Sequence, residues 1–157
     1  MGRVFTKIQH RLNKNSISGS KKNIEAHYDL GNDFYSMWLD KTMTYSSGFY
    51  MKEDETIEEA QKAKYQLILD TLDLPIGSRI LEIGCGWGGF LEHASKQGYL
   101  VKGITISPSQ FKFAKDRIEN LEIVPDIELI DYRLLEGKFD AVVSIEMFEA
   151  VGSEYWN

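Results

Sequence analysis

A glycine-rich turn that follows a short apolar run carries the first residues that could do chemistry. Residues 79–89 read RILEIGCGWGG, and the spacing of Gly84, Gly86 and Gly89 fits a dinucleotide-binding turn. Glu82 stands just before this turn, where its carboxylate would repel the two phosphates of a dinucleotide. It would instead attract a ligand with an ammonium and a sulfonium group, such as S-adenosylmethionine (SAM). Glycines needed only for a tight strand-to-helix turn would give the same spacing.

The end of the second predicted strand lacks an acid that dinucleotide enzymes use. Those enzymes place Asp or Glu about 20 residues after the glycine turn to hold the ribose. Here the strand predicted over 100–105 ends at Thr105, and no carboxylate follows before Asp116. This argues against NAD, and it also departs from most methyltransferases, which carry an acid at the same place.

Five segments of the chain, taken together, resemble one enzyme family. They are 27–35 (HYDLGNDFY), 45–49 (YSSGF), 81–89 (LEIGCGWGG), 103–110 (GITISPSQ) and 143–152 (VSIEMFEAVG). In this order they resemble the cyclopropane-fatty-acyl-phospholipid synthases and the related mycolic acid cyclopropane synthases, from about residue 22 to the C-terminus. In that family Thr and Gln replace the ribose acid, so Thr105 and Gln110 agree with the resemblance and are expected at the ribose and amino-acid portions of the cofactor.

The resemblance implies a SAM site at the carboxyl ends of the predicted strands. Its expected members are Tyr45, Ser46, Glu82, Gly84, Gly86, Gly88, Thr105, Gln110, Tyr132 and Arg133. The glycines would let the backbone approach the methionine part, and Glu82 would orient the ammonium through neighbours or water.

Two further pairs of residues are assigned by the resemblance alone. Tyr45 and Ser46 would come over the cofactor from the N-terminal segment. Tyr132 and Arg133 would frame the adenine, but for these two and for Asp131 a scaffolding role is equally open.

The reaction that the resemblance implies is methylene transfer from SAM to the cis double bond of an unsaturated phospholipid acyl chain. Methylation of the alkene gives a carbocation, which loses a proton and closes to a three-membered ring. Such chemistry needs an apolar tunnel that excludes water and a base that removes the proton without trapping the carbocation. The family uses bound bicarbonate as this base, and Glu149 matches the carboxylate that holds it, although a loop or helix-cap acid would look the same.

The chain departs from the family pattern at two positions, since Ser47 replaces a Cys of many relatives and Ala150 replaces a frequent His. The His and Tyr that complete the bicarbonate site lie downstream of this sequence in the family, so we expect the isolated chain to be weakly active or inactive.

The alternation of apolar runs with helical patterns predicts an α/β fold with a doubly wound parallel sheet. The predicted elements are strand 79–83, helix 88–97, strand 100–105, helix 108–120, strand 127–130 and strand 139–145. Ser107 and Gln110 are predicted to cap helix 108–120 as its N-cap and N3 residues, with Pro108 at N1. The resemblance makes this a Rossmann-like class I methyltransferase fold, in which four of seven strands are present. We therefore expect the N-terminal part of a longer catalytic domain, as a fragment, a split gene product or a shortened form.

Three segments are predicted. Residues 1–22 form a basic amphipathic segment that either lies on an anionic membrane surface or caps the core, and 23–75 form a helical cap over the cofactor and acyl site. The cap has helices over 25–39 and 57–72, the second with a capping box at Thr56. Residues 76–157 are the first half of the SAM-binding domain. Aromatic residues of the cap would line an acyl entrance or simply pack: Phe34, Tyr35, Trp38, Phe49 and Tyr50.

Composition excludes several function classes. A net charge of −6 without a basic stripe in the folded portion argues against nucleic-acid binding. Cys85 is the single cysteine, and it suits a tight turn better than nucleophilic catalysis. His27 is expected to be structural, and the three histidines lack metal-ligand spacing, so we predict no metal. The absence of a signal or membrane-spanning run favours the cytoplasm, with the inner membrane surface as a peripheral location.

Other functions remain open from the sequence. One is a related lipid C-methyltransferase or small-amine N-methyltransferase, and another is a non-catalytic remnant that only binds SAM or a membrane. The expected partners are the acyl chain of a phospholipid at the membrane surface and a second chain, identical or different, that supplies the missing half of the sheet.

Overall fold

The structure, a computed structural model, describes residues 31–147 and residue 151. Its elements in chain order are α1 (Gly31–Ser36), α2 (Ile57–Leu72), β1 (Arg79–Ile83), α3 (Gly89–Lys96), β2 (Leu100–Thr105), α4 (Pro108–Ile118), β3 (Asp126–Leu129), a 3-10 turn (Tyr132–Leu134) and β4 (Ala141–Val143). The α/β alternation predicted for the second half of the chain is confirmed in the type and order of its elements.

The four described strands form one parallel sheet in the order β3-β2-β1-β4. Strand β1 lies between β2 and β4, where Ile80 is paired with Val101 and Ala141 and Leu81 is paired with Lys102 and Val142. Ile80 and Leu81 point to opposite faces and both are buried, as expected for an inner strand of a covered parallel sheet. The chain moves outward from β1 to β3 and then returns to place β4 on the other side of β1. Such a reversal of strand order opens a crevice at the carboxyl ends of the strands, where ligands bind in open α/β sheets.

Helices α3 and α4 cover the sheet with short apolar faces. Phe90, Leu91 and Ala94 of α3 are fully buried and join one core cluster with Ala114 of α4. Helix α3 lies so close to β2 that a Cβ at Gly103 would be 2.7 Å from a methyl group of Leu91. This close packing fixes the helix that follows the glycine turn.

Side-chain caps define where two helices begin. The predicted capping box of α2 is confirmed, since Glu59 N–H donates to the Thr56 hydroxyl and Thr56 N–H donates to the Glu59 carboxylate. At α4 the Ser107 hydroxyl accepts from Gln110 N–H, as predicted. The Gln110 side chain does not return the bond to Ser107 but accepts from the Thr105 hydroxyl at 3.2 Å.

The helix predicted over 25–39 is shorter within the described residues, where α1 covers Gly31–Ser36. It ends in a tight turn, because Met37 N–H and Trp38 N–H bond to carbonyls three residues back. The helix predicted to reach residue 120 likewise ends at Ile118, where Leu121 N–H closes a three-residue turn onto the Ile118 carbonyl.

The last predicted strand, 139–145, is also shorter and covers only Ala141–Val143. Asp140 brackets its start, because its N–H donates to the Arg79 carbonyl and its carboxylate accepts from Arg79 N–H. Strand β4 ends at Val143, and three residues later Glu146 has a φ of +50°, which lies outside the extended region.

The predicted segment 1–22 and the first residues of the cap lie outside the described residues. Across residues 31–147, the longest and most apolar helices still fall short of what a membrane crossing requires.

Candidate cofactor site

A cavity of roughly 830 Å³ lies at the carboxyl ends of the strands, at the reversal of strand order. Of the ten residues expected at the cofactor, all but Gly88 line it: Tyr45, Ser46, Glu82, Gly84, Gly86, Thr105, Gln110, Tyr132 and Arg133. The fold therefore brings residues from separate segments of the chain to one place. Its size is in the range of small-molecule sites.

Backbone hydrogen bonds hold the glycine turn against the neighbouring strand, β2. Gly84 N–H and Cys85 N–H both donate to the Ile104 carbonyl, at 2.9 and 3.0 Å. Gly84 and Gly86 have φ values of +78° and +52°, which side-chain-bearing residues rarely adopt. The turn thus presents bare backbone to the cavity.

Gly88 has a packing role. It is the N-cap of α3 with a φ of +83°, and a Cβ on it would lie 3.1 Å from the Cβ of Ala114 on α4. It is not among the residues that line the cavity, although its neighbours Trp87 and Gly89 are, so its expected place at the cofactor stays a prediction.

Glu82 is a buried acid in the cavity wall. Only 3% of it is exposed, and burial raises its pKa to about 8, while the ammonium of Lys64 opposes this shift in part. Its Oε2 has no hydrogen-bond partner among the described residues. A buried carboxyl group without a partner is costly, and a cationic ligand in the cavity would remove that cost.

Thr105 and Gln110 form one polar corner of the cavity. Both are 5% exposed, and they bond to each other through Thr105 Oγ1 and Gln110 Oε1. Ser107 N–H also donates to Thr105 Oγ1 at 3.2 Å. The corner offers neutral hydroxyl and amide groups where a dinucleotide enzyme has a carboxylate.

Asp131, Tyr132 and Arg133 form the wall at the end of β3. Arg133 donates to both oxygens of the Asp131 carboxylate through Nε and Nη2, at 2.8 and 2.6 Å, and this pairing lowers the pKa of Asp131. The Arg133 guanidinium also lies 5.6 Å from the ring centre of Tyr132. The ion pair balances the Arg133 charge, so this wall offers a ligand a ring and a neutralised guanidinium.

The loop before α2, residues 40–48, forms the wall opposite the sheet. At its start, Arg117 of α4 donates to the carbonyls of Lys41 and Thr42 at 2.6 and 2.5 Å. Next along the loop, the Thr44 hydroxyl bonds to the Tyr65 hydroxyl, whose pKa burial raises. Side chains from two helices therefore position this half of the loop.

The second half of the loop is held by α2. Gln61 Nε2 donates to the Ser46 carbonyl at 2.7 Å, and Lys64 Nζ donates to the Ser46 hydroxyl and the Ser47 carbonyl at 2.5 and 2.8 Å. Burial lowers the pKa of Lys64. Tyr45 and Ser46, which were expected at the cofactor, thus reach the cavity on a loop whose polar groups are paired.

The aromatic residues of the cap divide into two groups. Tyr35 is 4% exposed and packs against Trp87, with ring centres 5.1 Å apart, so it belongs to a core cluster. Trp38 lines the cavity and is 49% exposed. Phe34, Phe49 and Tyr50 are exposed and do not line the cavity.

Several cavity residues had no predicted role: Ser47, Trp87, Ile145, Glu146 and Met147. All five lie in segments that supported the family resemblance, namely 45–49, 81–89 and 143–152. The spacing of these residues in the sequence did not indicate that they line the cavity. The contact of Glu146 with Ser47 joins residues 99 positions apart, which only the fold reveals. Expected residues Glu149 and His27 lie outside the described residues.

Cys85 faces the cavity but is 4% exposed, and burial raises the pKa of its thiol, which keeps it protonated and weakly nucleophilic. A group of three or more His, Cys, Asp or Glu side chains that could hold a metal is absent from residues 31–147.

The parallel sheet, its reversed strand order and the glycine turn beside a buried acid agree with a class I methyltransferase fold, and the comparison with solved structures shows that fold. A coclaurine N-methyltransferase bound to N-methylheliamine and SAH shares this fold at a TM-score of 0.68 and 24% identity, over 74% of this chain and 36% of that one. The chain belongs to the mycolic acid cyclopropane synthetase family, whose model matches residues 15–157. The resemblance seen in the sequence is thereby confirmed.

Individual relatives agree with this assignment. A cyclopropane-fatty-acyl-phospholipid synthase of Escherichia coli (strain K12) is 46% identical over 83% of this chain and 34% of its own length, and a probable fatty acid methyltransferase of Pseudomonas putida is 41% identical over 82% and 34%. The mycolic acid cyclopropane synthase CmaA1, crystallised with SAH and CTAB, superimposes with a TM-score of 0.81 at 36% identity, over 85% of this chain and 48% of that one. The chain thus spans about a third of the length of the relatives from Escherichia coli and Pseudomonas putida.

Proposed function

We propose that this chain is the SAM-binding part of an enzyme that transfers a methylene group from SAM to the cis double bond of an unsaturated phospholipid acyl chain. The observation that carries the proposal is Glu82, a buried acid with an unpartnered oxygen in the wall of a cavity at the switch point of the sheet. Family membership and the relative crystallised with SAH support the same ligand.

The residues of the cavity fit such a cofactor. The orphaned Glu82 carboxyl would receive the ammonium of the methionine part, beside the bare backbone of Gly84 and Gly86. Thr105 and Gln110 would bond the ribose and amino-acid portions, where neutral groups suit a ligand without phosphates. SAM, when bound, supplies an electrophilic methyl group to the alkene.

Residues of the loop and of the β3 end complete the proposed site. Tyr45 and Ser46 would cover the cofactor from the 40–48 loop, and Tyr132 and Arg133 would frame the adenine. Because the Arg133 charge is already balanced by Asp131, this wall suits an uncharged ring.

The apolar part of the cavity would exclude water from the alkene. Trp38, Trp87, Ile145 and Met147 line this part. Glu149 would hold the bicarbonate that accepts the proton lost on ring closure, a role inferred from the family pattern alone. The 40–48 loop would then cover the cofactor, and Glu149, in the segment that follows β4, would hold the base.

The wider organisation is part of the proposal. Residues 1–22 would contact the membrane surface, 23–75 would cap the site, and 76–157 would begin the SAM-binding domain. Because the chain spans about a third of the curated relatives, the remaining strands would come from further sequence or from a second chain, identical or different.

The product decides between ring closure and simple methylation. The gene that encodes this chain, with its natural flanking sequence, would be expressed in a bacterium that lacks cyclopropane fatty acids, and its phospholipid acyl chains would be analysed by mass spectrometry. We expect unsaturated chains to gain one methylene. Gain of a methylene with two further hydrogens would indicate methyl addition and reduction, the candidate that the relative from Pseudomonas putida favours. Unchanged lipids would contradict both.

A further inference from the structure

Besides Glu82 and Asp131, a third carboxylate lines the cavity, and it comes from the loop after β4. Glu146 lines the cavity, and its Oε1 accepts hydrogen bonds from the N–H and the hydroxyl of Ser47 at 2.9 and 3.1 Å. We call this pair the Glu146–Ser47 clasp. It joins two walls of the cavity, the loop before α2 and the loop after β4.

The backbone of Glu146 is unusual for a residue with a side chain. Its φ is +50°, a conformation that carries a free-energy cost outside glycine. The neighbouring residue shows what this conformation achieves: a Cβ at Gly84 would lie 3.1 Å from Cγ of Met147, so Met147 packs directly on the glycine turn. The left-handed residue lets two consecutive side chains reach opposite walls, Met147 to the turn and Glu146 to Ser47.

The other side of the 40–48 loop is held independently by α2. Lys64 donates to the Ser47 carbonyl and Gln61 to the Ser46 carbonyl. Opposite faces of Ser47 thus bond to a lysine and a glutamate, and the Lys64 and Glu146 charges attract each other. The clasp therefore contacts the loop directly beside Ser46 and close to Tyr45, on the side opposite to the bonds from α2.

We propose that Glu146 is a positioning residue, which holds Tyr45 and Ser46 over the cofactor through Ser47 and fixes the loop that leads to Glu149. The inference rests on the proposed function for the identity of the ligand. It assigns a role to Glu146, which is not among the residues expected to touch that ligand. The bonds that form the clasp can be tested with and without ligand.

The ligand test uses the whole chain and S-adenosylhomocysteine, measured by isothermal titration calorimetry. Glu146→Ala is expected to weaken binding about tenfold, and Ser47→Ala about threefold, since it removes one of the two bonds. In the Glu146→Ala background the Ser47→Ala change is expected to have no further effect. Glu146→Gln keeps an acceptor oxygen and should stay within about threefold of the unaltered chain.

Two controls separate the clasp from general effects. Glu136→Ala removes an exposed carboxylate that does not line the cavity and should leave binding unchanged. Glu146→Gly relieves the backbone strain but removes the carboxylate. It should bind as weakly as Glu146→Ala, and binding equal to that of the unaltered chain would contradict the role of the carboxylate.

The ligand-free test is amide hydrogen exchange at Ser47. We expect Glu146→Ala to accelerate this exchange about tenfold while amides of β1 keep their rates. Unchanged exchange at Ser47, or additive effects of the two substitutions on binding, would overturn the clasp. Failure of the unaltered chain to bind S-adenosylhomocysteine would instead overturn the proposed function, and the exchange rate would still decide whether the clasp exists.

Discussion

The two walls of the cavity are built in different ways. The sheet wall, with β1, the glycine turn and β2, is held by backbone hydrogen bonds and strand register, as when Gly84 and Cys85 share the Ile104 carbonyl. The loop wall, residues 40–48, is held by side chains that arrive from distant elements, including Arg117 and Lys64. The sheet wall is therefore rigid by its fold, whereas the loop wall depends on a few individual bonds.

The largest effect is expected where the two walls touch. A Cβ at Gly89 would lie 2.6 Å from the Tyr65 hydroxyl and 3.0 Å from the Thr42 carbonyl, so Gly89→Ala must displace the loop wall. Although Ala favours a helix start, we expect a loss of about 3 kcal/mol in the free energy of unfolding, measured in urea. Gly86→Ala meets no atom within 4 Å and should cost only about 1 kcal/mol through its positive φ. Equal losses would contradict the close contact.

The next effect isolates an anchor of the loop wall. Arg117 is 10% exposed in its side chain and donates to two loop carbonyls. Arg117→Ala should lower the free energy of unfolding by about 2 kcal/mol, since the partly buried Thr42 carbonyl and the exposed Lys41 carbonyl both lose their donor and Glu92 loses its ion-pair partner. It should also weaken SAM binding, although Arg117 does not line the cavity. Unchanged binding would show that the loop does not need this anchor.

Glu82 provides a pH-dependent test of the sheet wall. Its pKa of about 8 means that the empty site holds a proton at pH 7, while a cationic ligand favours the ionised form. Binding then releases a proton, so the affinity for SAM should rise as the pH rises from 6 towards 8. Glu82→Gln should remove this dependence and weaken binding about tenfold at pH 8. Glu136→Gln is the matched control and should change neither.

Glu82 should make the stability of the fold depend on pH in the opposite direction, so that stability falls as the pH rises whereas the affinity for SAM rises. Because the folded pKa of Glu82 is raised, the unfolded chain ionises first and binds fewer protons between about pH 4.5 and 8. The contribution of Glu82 is fully present below that range and is lost as the pH rises through it. Thermal unfolding of the Glu82→Gln variant should lack this part of the decline. A decline of equal size in both proteins would show that Glu82 is not the group responsible.

The smallest effect concerns a cap on the sheet side. The Ser107 hydroxyl accepts from Gln110 N–H at the start of α4. Ser107→Ala should cost about 1 kcal/mol of stability. Because Gln110 keeps its bond to Thr105, SAM affinity should fall less than with Arg117→Ala. A larger loss of affinity than of stability would show that Ser107 itself contacts the ligand.

The difference between the sheet wall and the loop wall explains which parts of the structure the sequence could predict. Strands, helices and the glycine turn follow from local patterns, and the Thr56 and Ser107 caps were read directly from residue spacing. The buried state of Glu82 follows from its place in an apolar strand. The predicted bounds of β4, 139–145, were too wide, because an apolar run does not show where the pairing with β1 begins and ends.

The bonds of the loop wall lie beyond local reasoning. Arg117 and Thr42 are 75 positions apart, and Glu146 and Ser47 are 99 apart, so no periodicity relates them. The resemblance indicated that Tyr45 and Ser46 approach the cofactor, but the groups that hold them there appear only when the fold places α2, α4 and the β4 loop around them.

The central claim is that this cavity prefers a cationic sulfur compound to a phosphate-bearing dinucleotide. Titration of the chain with SAM and, separately, with NADH by calorimetry at pH 8 tests it most directly. The account predicts saturable binding of SAM and no binding of NADH, with Glu82→Gln reducing the SAM signal. Binding of NADH with exclusion of SAM would contradict it.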